Sequence, residues 1–444
     1  MSDFKRALIL GTGPTSIQLA VNIKKHFNCY VGIGGRESVR SETFFEGLNQ
    51  YNHLIRVSVQ NEKHRSMEGK CFVDQAFNGY ETIEGEWDTI IFSVTTDAYI
   101  EVIKQLSDRL LKQVKCIVLI SPTFGSNSLI SNFMNNLNLN AEIISFSTYH
   151  GDTRWMQDRP SNHVLTTAVK KKIYIGSTHF PSINVDKLCK VYEQLGIDLE
   201  IMTSPIEAET RNISLYVHPP LFMNHFSLST IFGDKETKNY VYKIYPEGPI
   251  TQYLIRDMLS QWKEIMNILE KMNIKSINLL QFMTDDTYPV RLESLSRHDI
   301  ENFNYLETIH QEYLLYIRYT SLLIDPFSEP DENGRYFDFS AVSIRKMFVD
   351  KEGYLDIPRM PKEDYYRIKI IQGIAKYLEL NCPTIDKFIK TYESKIEKVA
   401  QSRRGELLSH AFVVQSFEED LNMICGEIGK SYSNKEDGIG PVMD

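Results

Sequence analysis

Apolar and polar positions follow two different rhythms along this chain. Up to about residue 205, short apolar runs recur: ALIL (7–10), YVGIG (30–34), DTIIFSV (88–94), CIVLIS (116–121) and EIISFST (142–148). Between them lie stretches with apolar positions every three or four residues, as in SIQLAVNIKKHF (16–27). Continuous apolar runs suit strands buried on both faces, and the alternation with amphipathic stretches predicts a parallel sheet covered by helices. Beyond that point the rhythm becomes helical throughout, in TQYLIRDMLSQWKEIMNILEKM (251–272) and again over 306–324. The pattern therefore predicts an α/β chain with a Rossmann-type domain over 1–204 and a mostly α-helical domain over 205–444. At the junction, SPIEAETRNISLYVHPPLF (204–222) carries the pair Pro219 and Pro220, which is expected to stop a helix. The polar stretch from about 430 is expected to fray.

Composition narrows the function classes. At 444 residues, with 42% apolar residues, the chain is long enough for two cores. It has 49 basic and 58 acidic residues, a net charge of −9, and no long basic block, which argues against nucleic acid as a partner. Its six cysteines are widely separated, with no CxxC pair, and read as buried thiols of a reducing compartment. Neither a signal segment nor a membrane-spanning run is visible, so a soluble, cytoplasmic protein is expected. No metal-ligand cluster stands out.

The first strand-like run leads directly into LILGTGPTS (8–16). In a dinucleotide-binding turn the first glycine allows the bend and the second lets the backbone approach the pyrophosphate at the helix N-terminus. Gly11 and Gly13 suit those roles, with Thr12, Pro14 and Thr15 around them and Ser16 at the third small position. Alone, a GxG after a strand is equally a turn after a buried strand; the second strand about 20 residues later favours the cofactor reading. That strand runs into GGRESVRS, where an NAD enzyme would place a carboxylate. Arg36, Ser38 and Arg40 there predict recognition of the 2′-phosphate of NADPH, against the single dissenting carboxylate of Glu37. Thr95, with Ser93 and Thr96, follows a further strand and is expected at the ligand-binding edge, or as an N-cap of the helix that follows.

Two polar stretches, SPTFGS (121–126) and STYHGDTRW (147–155), also follow strands and are expected on the same edge. Asp152 is expected in a loop bordering the substrate pocket. Two like charges about 4 Å apart at an effective dielectric of ~20 repel by about 4 kcal/mol, so Asp152 would disfavour a substrate that brings a second carboxylate to it. The alternative is that Asp152 caps a turn or pairs with Arg154. Candidate cations for substrate carboxylates are Arg154, Arg211, Arg318 and Lys243, each of which could equally be an ordinary ion-pair partner. His218 stands inside an apolar run, where a lone histidine is more often a satisfied core residue than a catalyst.

The blocks GTGPTSIQLA, ISPTFGS, ISFSTYHGDTR, NHVLTTAVKKKIYIGSTH, AETRNISLYVHPPLFMN, YPEGPIT, NLLQFM, LIDPFSEPDENGRYFDFSAV and IPRMPKEDYYR together resemble the opine metallophore dehydrogenases, the staphylopine dehydrogenase-like enzymes. The resemblance implies an NADP-binding Rossmann domain followed by an opine dehydrogenase domain, and with them NADPH-dependent reductive condensation of a 2-oxo acid, for which Asp152 would favour pyruvate over 2-oxoglutarate, with the amine of a histidine-aminobutyrate, nicotianamine-like intermediate. It also implies a homodimer, a metal-binding product and a catalytic role for His218. More distant relatives pair such a histidine with an aspartate, for which Asp325 is a candidate, and carry an Asn where this chain has Ser214, with Asn212 nearby. A simple amino-acid donor, or an NADP-binding sensor without catalysis, is the alternative reading.

Overall fold

The computed structural model describes residues 4–157, 159–234, 238–286, 289–324, 326 and 329–436. The chain divides into two compact units, Met1–Arg211 with Glu418–Asp444, and Asn212–Phe417.

In the first unit, β1 (Arg6–Leu10), α1 (Pro14–Phe27), β2 (Tyr30–Gly35), α2 (Val39–Gln50), β3 (Leu54–Val59), β4 (Gly69–Phe72), β5 (Gln75–Asn78) and β6 (Thr89–Phe92) come first. They are followed by α3 (Tyr99–Ile103), α4 (Asp108–Leu111), β7 (Cys116–Leu119), α5 (Ser126–Asn136), β8 (Glu142–Phe146), β9 (Gly151–Trp155) and β10 (His163–Val169). The unit continues with β11 (Lys172–Ser177), α6 (Ile183–Gln194), β12 (Asp198–Ile201) and α7 (Pro205–Thr210). An eight-stranded sheet runs in the order β12-β11-β8-β7-β6-β1-β2-β5. Its central strands β6, β7 and β8 are buried at every position, which is why they read as unbroken apolar runs. The exception to parallel pairing is β11, antiparallel to β8. Strand order reverses at β1, flanked by β2 on one side and β6 on the other, and the crevice at the carboxyl ends of such a pair is where open α/β sheets bind ligands.

A second sheet, ordered β4-β3-β10-β9, packs on the other side of α1. Gln18 fastens the helix between the two layers, donating to Met67 O at 3.0 Å and accepting from the Thr166 hydroxyl at 2.5 Å. Here the structure corrects the sequence reading, because GDTRW is strand β9 and not a loop. Its alternating exposure, with Thr153 and Trp155 turned inward and Asp152 and Arg154 outward, is that of an edge strand with one covered face.

The second unit is helical: α8 (Ser214–Phe222), α9 (His225–Ile231), α10 (Gln252–Lys271), α11 (Leu279–Asp285), α12 (Arg297–Asn302), α13 (Thr308–Thr320), α14 (Arg359–Tyr377) and α15 (Pro383–Ser402). The amphipathic stretch 251–272 becomes α10, started by the Thr251 hydroxyl accepting from Leu254 N. Glu264 of α10 also accepts from Thr384 N at 2.7 Å and Ile385 N at 3.0 Å, capping α15, which has no side-chain cap of its own.

Four further expectations are revised. Pro219 and Pro220 do not stop a helix; both lie inside α8. The last helix, α16 (Glu418–Glu436), belongs to the first unit and not to the helical one, since it packs on α5 with Ile424 and Ile428 buried. It continues past residue 430, so the stretch expected to fray is helical as far as Glu436, while 437–444 lie outside the described residues. No disulfide joins the six cysteines, and of them only Cys29, Cys116 and Cys382 are buried, the others being partly exposed.

Candidate active site

The turn after β1 is shaped for close approach. Gly11 has φ +130, a conformation that L side chains rarely adopt, and a Cβ there would lie 2.7 Å from Ser93 Oγ. Its N–H donates to Gly34 O at 2.7 Å, tying β1 to the end of β2. Gly13 is the N-cap of α1, and a Cβ there would meet nothing within 4 Å. With no side-chain cap and no acidic residue in its first turn, α1 offers its N-terminal amides to an anion. Pro14 occupies the first turn, where its missing N–H is harmless. Ser16 Oγ lies 2.7 Å from Ser93 Oγ, which donates to Leu10 O, so the third small position joins the helix to β6. The Thr12 methyl group packs where Gly35 lacks a Cβ. These features fit a dinucleotide pyrophosphate.

Arg36 and Glu37 are exposed beyond β2, and the Arg36 backbone hydrogen-bonds the Tyr80 hydroxyl. The Ser38 hydroxyl caps α2 by accepting from Ser41 N at 3.3 Å. Arg40 lies in α2, and its side chain is outside the described residues. Thr95 is exposed just before a short 3-10 turn and makes no side-chain cap, so the N-cap alternative is not realised, while Thr96 Oγ is buried without a partner.

The SPTFGS turn is held by a residue that the sequence reading passed over. Glu209 of α7 is fully buried and accepts from Gly125 N at 2.9 Å, Asn127 N at 2.7 Å, Asn127 Nδ2 at 2.9 Å and the Ser145 hydroxyl at 2.8 Å. Burial pushes its carboxyl up to about 7, against the downward pull of these hydrogen bonds. An acidic residue beside Arg211 in AETR gave only the signal of an ordinary ion pair.

Asp152 on β9 accepts from the Thr167 hydroxyl at 2.9 Å, so it neither caps a turn nor forms an ion pair with Arg154. Beside it, the Tyr149 hydroxyl is 2.8 Å from Thr153 Oγ and also hydrogen-bonds Thr15. This link brings β9 to the first turn of α1. Arg154 is exposed, with no ion pair among the described residues. Arg211 is buried and paired with Glu207 at 3.1 Å. Lys243 is shared between Glu247 at 2.9 Å and Asp338 at 3.0 Å, which push its pKa up to about 12. Arg318 is buried, with Met283 O at 3.5 Å.

In the second unit, α8 carries His218 at a point where two consecutive prolines interrupt the helical ladder. Pro219 and Pro220 have no N–H for the carbonyls of Leu215 and Tyr216. The buried amide of Gln261, on α10, donates to Leu215 O at 2.8 Å and lies 3.5 Å from Tyr216 O, which lets the helix persist. In the turn before the helix, Asn212 Oδ1 accepts from Ser214 N at 3.0 Å. The His218 side chain remains 22% exposed, and its Nδ1 lies 3.4 Å from Oδ1 of Asp364, which is fully buried. Met360 Sδ is 3.1 Å from the same nitrogen, and Phe222 meets the ring edge-on at 5.5 Å. The aspartate facing His218 is therefore Asp364 on α14; Asp325 lies outside the described residues. KEDYYR carried no sign of this pairing, because 146 residues separate the partners. An imidazole held on one nitrogen by a buried carboxylate can take and return a proton at the other.

Comparison with known proteins places the whole chain in a family. The profile of the staphylopine dehydrogenase family matches residues 5–428. The staphylopine synthase of Staphylococcus aureus is 46% identical over 421 residues, covering 94% of this chain and 97% of that protein. The pseudopaline synthase of Pseudomonas aeruginosa is 32% identical over 391 residues, 88% of this chain and 90% of its own. Among solved structures, a yersinopine dehydrogenase with bound NADP+ superposes with a TM-score of 0.88 at 27% identity, covering 96% of this chain and 99% of that one. With its Rossmann-type unit, its helical unit and a profile match over nearly its whole length, the chain belongs to the staphylopine dehydrogenase family.

Proposed function

We propose that this protein is an NADPH-dependent opine metallophore dehydrogenase that condenses pyruvate with the amine of a histidine-aminobutyrate, nicotianamine-like intermediate. The observation that carries the catalytic part is the pairing of His218 with the buried Asp364 on neighbouring helices. As an NADP-dependent oxidoreductase acting on a CH–NH bond, the enzyme receives its hydride from the reduced nicotinamide. Gly11, Thr12, Gly13, Pro14 and Thr15 hold the pyrophosphate, Arg36, Ser38 and Arg40 meet the 2′-phosphate, and Thr95 lies along the same edge. The 2′-phosphate reading draws support from the exposure of Arg36 at the end of β2.

His218 accepts a proton from the attacking amine, which must be neutral to add to the ketone. It returns that proton to the ketone oxygen to give the carbinolamine, and a second proton, taken up from solvent, goes to the hydroxyl as it leaves as water, so that an iminium accepts the hydride. Asp364 orients the ring and stabilises it while protonated. Of the proposed substrate-binding residues, Arg154 is the cation best placed to meet a carboxylate, because Arg211 is already neutralised by Glu207. Asp152 serves as the charge that disfavours 2-oxoglutarate, a reading supported by its exposure on β9 next to the Tyr149–Thr15 link.

Mass spectrometry of the product formed from NADPH, the amine and either 2-oxo acid tests the reading. A pyruvate-derived opine is expected, with Asp152→Ala gaining 2-oxoglutarate product and keeping most of its pyruvate product. A wild-type preference for 2-oxoglutarate would reject the role of Asp152. Equal use of plain histidine would favour a simple opine dehydrogenase, and NADPH binding without any product would favour a sensor.

A further inference from the structure

Asp364 presents a single oxygen to both a histidine and an arginine. Its Oδ1 lies 3.4 Å from His218 Nδ1 and 2.7 Å from Arg367 Nη1, and its Oδ2 is buried without a hydrogen-bond partner. Arg367 is only 3% exposed, and its Nη2 donates to Glu363 Oε1 at 2.5 Å. Glu363 accepts from Arg359 Nε at 2.5 Å on its other oxygen. His218, Asp364, Arg367, Glu363 and Arg359 thus form a row in which acidic and basic groups alternate, most of it out of water.

We propose that Arg367 and Glu363 are positioning residues that set how much negative charge Asp364 presents to His218, and through it how readily His218 gives up a proton. The proposal rests on the reading of His218 as the acid/base. A buried carboxylate facing an imidazole alone would favour the protonated ring, which cannot accept a proton from an amine. Arg367 lies closer to the shared oxygen than the imidazole does and competes for it. Glu363 keeps Arg367 from committing wholly to Asp364. Burial raises the Glu363 carboxyl, but Arg367 and Arg359 together outweigh burial and hold it below its ordinary range, so it remains an anion. The charged groups brought toward His218 come from α14, namely Asp364 and Glu363 and, through them, Arg367 and Arg359. Gln261 of α10 and Asn224, the N-cap of α9, are neutral and donate to the α8 backbone.

The test uses the full-length protein with isotope-labelled histidine. The titration midpoint of His218 is followed by NMR, and kcat/KM for NADPH oxidation with pyruvate and the amine is measured against pH. Glu363→Gln should lower the midpoint, because one anion is lost and Arg367 turns wholly to Asp364. Arg367→Gln should raise it by about one pH unit, the scale of a lost neighbouring charge. Arg367→Lys keeps the charge without the fork, should raise the midpoint less, and serves where Arg367→Gln does not fold. Midpoints unchanged in Glu363→Gln and Arg367→Lys, or moving in the same direction, would overturn the proposal. Because the NMR midpoint needs no turnover, opposite shifts with an unmoved rate profile would support the network and reject His218 as the base. A rate profile that depends on His218 while the midpoints stand still would reject the network alone.

Discussion

His218 and Glu209 are both ionisable groups held by polar partners, and they differ in how those partners meet the reactive atoms. The histidine keeps one face toward solvent and its other nitrogen toward Asp364, whereas Glu209 has every oxygen occupied by donors from the start of α5 and from β8. That difference separates a group able to exchange protons with a substrate from one that holds a turn in place. Replacing His218 with Gln should lower turnover by roughly 100-fold or more, the scale of a lost general acid/base, with NADPH affinity nearly unchanged in a fluorescence titration. A variant that melts earlier but turns over normally would make it a core histidine. Glu209 carries a stability signature instead. Its folded value of about 7 stands above the ordinary 4.5, so the folded protein holds this proton more tightly than the unfolded chain does. That contribution is complete below pH 4.5 and is lost as the pH rises through 7, on the order of 3 kcal/mol in all. Thermal melts should accordingly show a decline over that interval in the wild type that is flattened in Glu209→Gln; parallel curves would mean that Glu209 is ionised throughout.

Among the elements, α8 departs furthest from its local preferences. Two prolines in a nine-residue helix remove two donors, and the helix persists because Gln261 of another helix supplies an amide to the carbonyls they leave. Gln261→Leu fills the same space without donating, and should destabilise the protein by about 1–3 kcal/mol, the cost of an unsatisfied buried carbonyl. Because the loss falls in the turn that carries His218, denaturant unfolding and turnover should be affected together. Unchanged stability would show that α8 holds its shape without this bond. The strand β9 shows a similar effect of context. Its polar composition, with Gly151, Asp152 and Arg154, reads as a loop, yet the antiparallel partner β10 supplies backbone bonds that the residues themselves do not favour.

At the scale of the whole molecule, α16 gives the first unit its last layer although it follows the helical unit in sequence. Ile424 is 1% exposed where α16 packs on α5, and Ile424→Ala should cost about 2–5 kcal/mol, as truncation of a buried aliphatic side chain generally does. Hydrogen exchange should then quicken in α5 and β8 while α14 and α15 keep their protection. Uniform quickening in both units would contradict the division of the chain.

What the sequence determined by itself was whatever depends on neighbours in the chain. Buried parallel strands need unbroken apolar runs, a tight turn at the end of β1 needs glycine, and a long helix with one covered side repeats every three or four residues; each leaves its mark within a few positions. The α/β class, the GxG turn of Gly11 and Gly13, and α10 were legible on those grounds, and the family blocks pointed to His218. Tertiary structure alone decided the rest. Asp364 facing His218, Glu209 capping α5, Gln261 mending α8 and α16 returning to the first unit all join residues far apart in sequence. Nothing near any of these residues in the chain specifies its partner, because burial and hydrogen-bond geometry arise only when distant segments pack together.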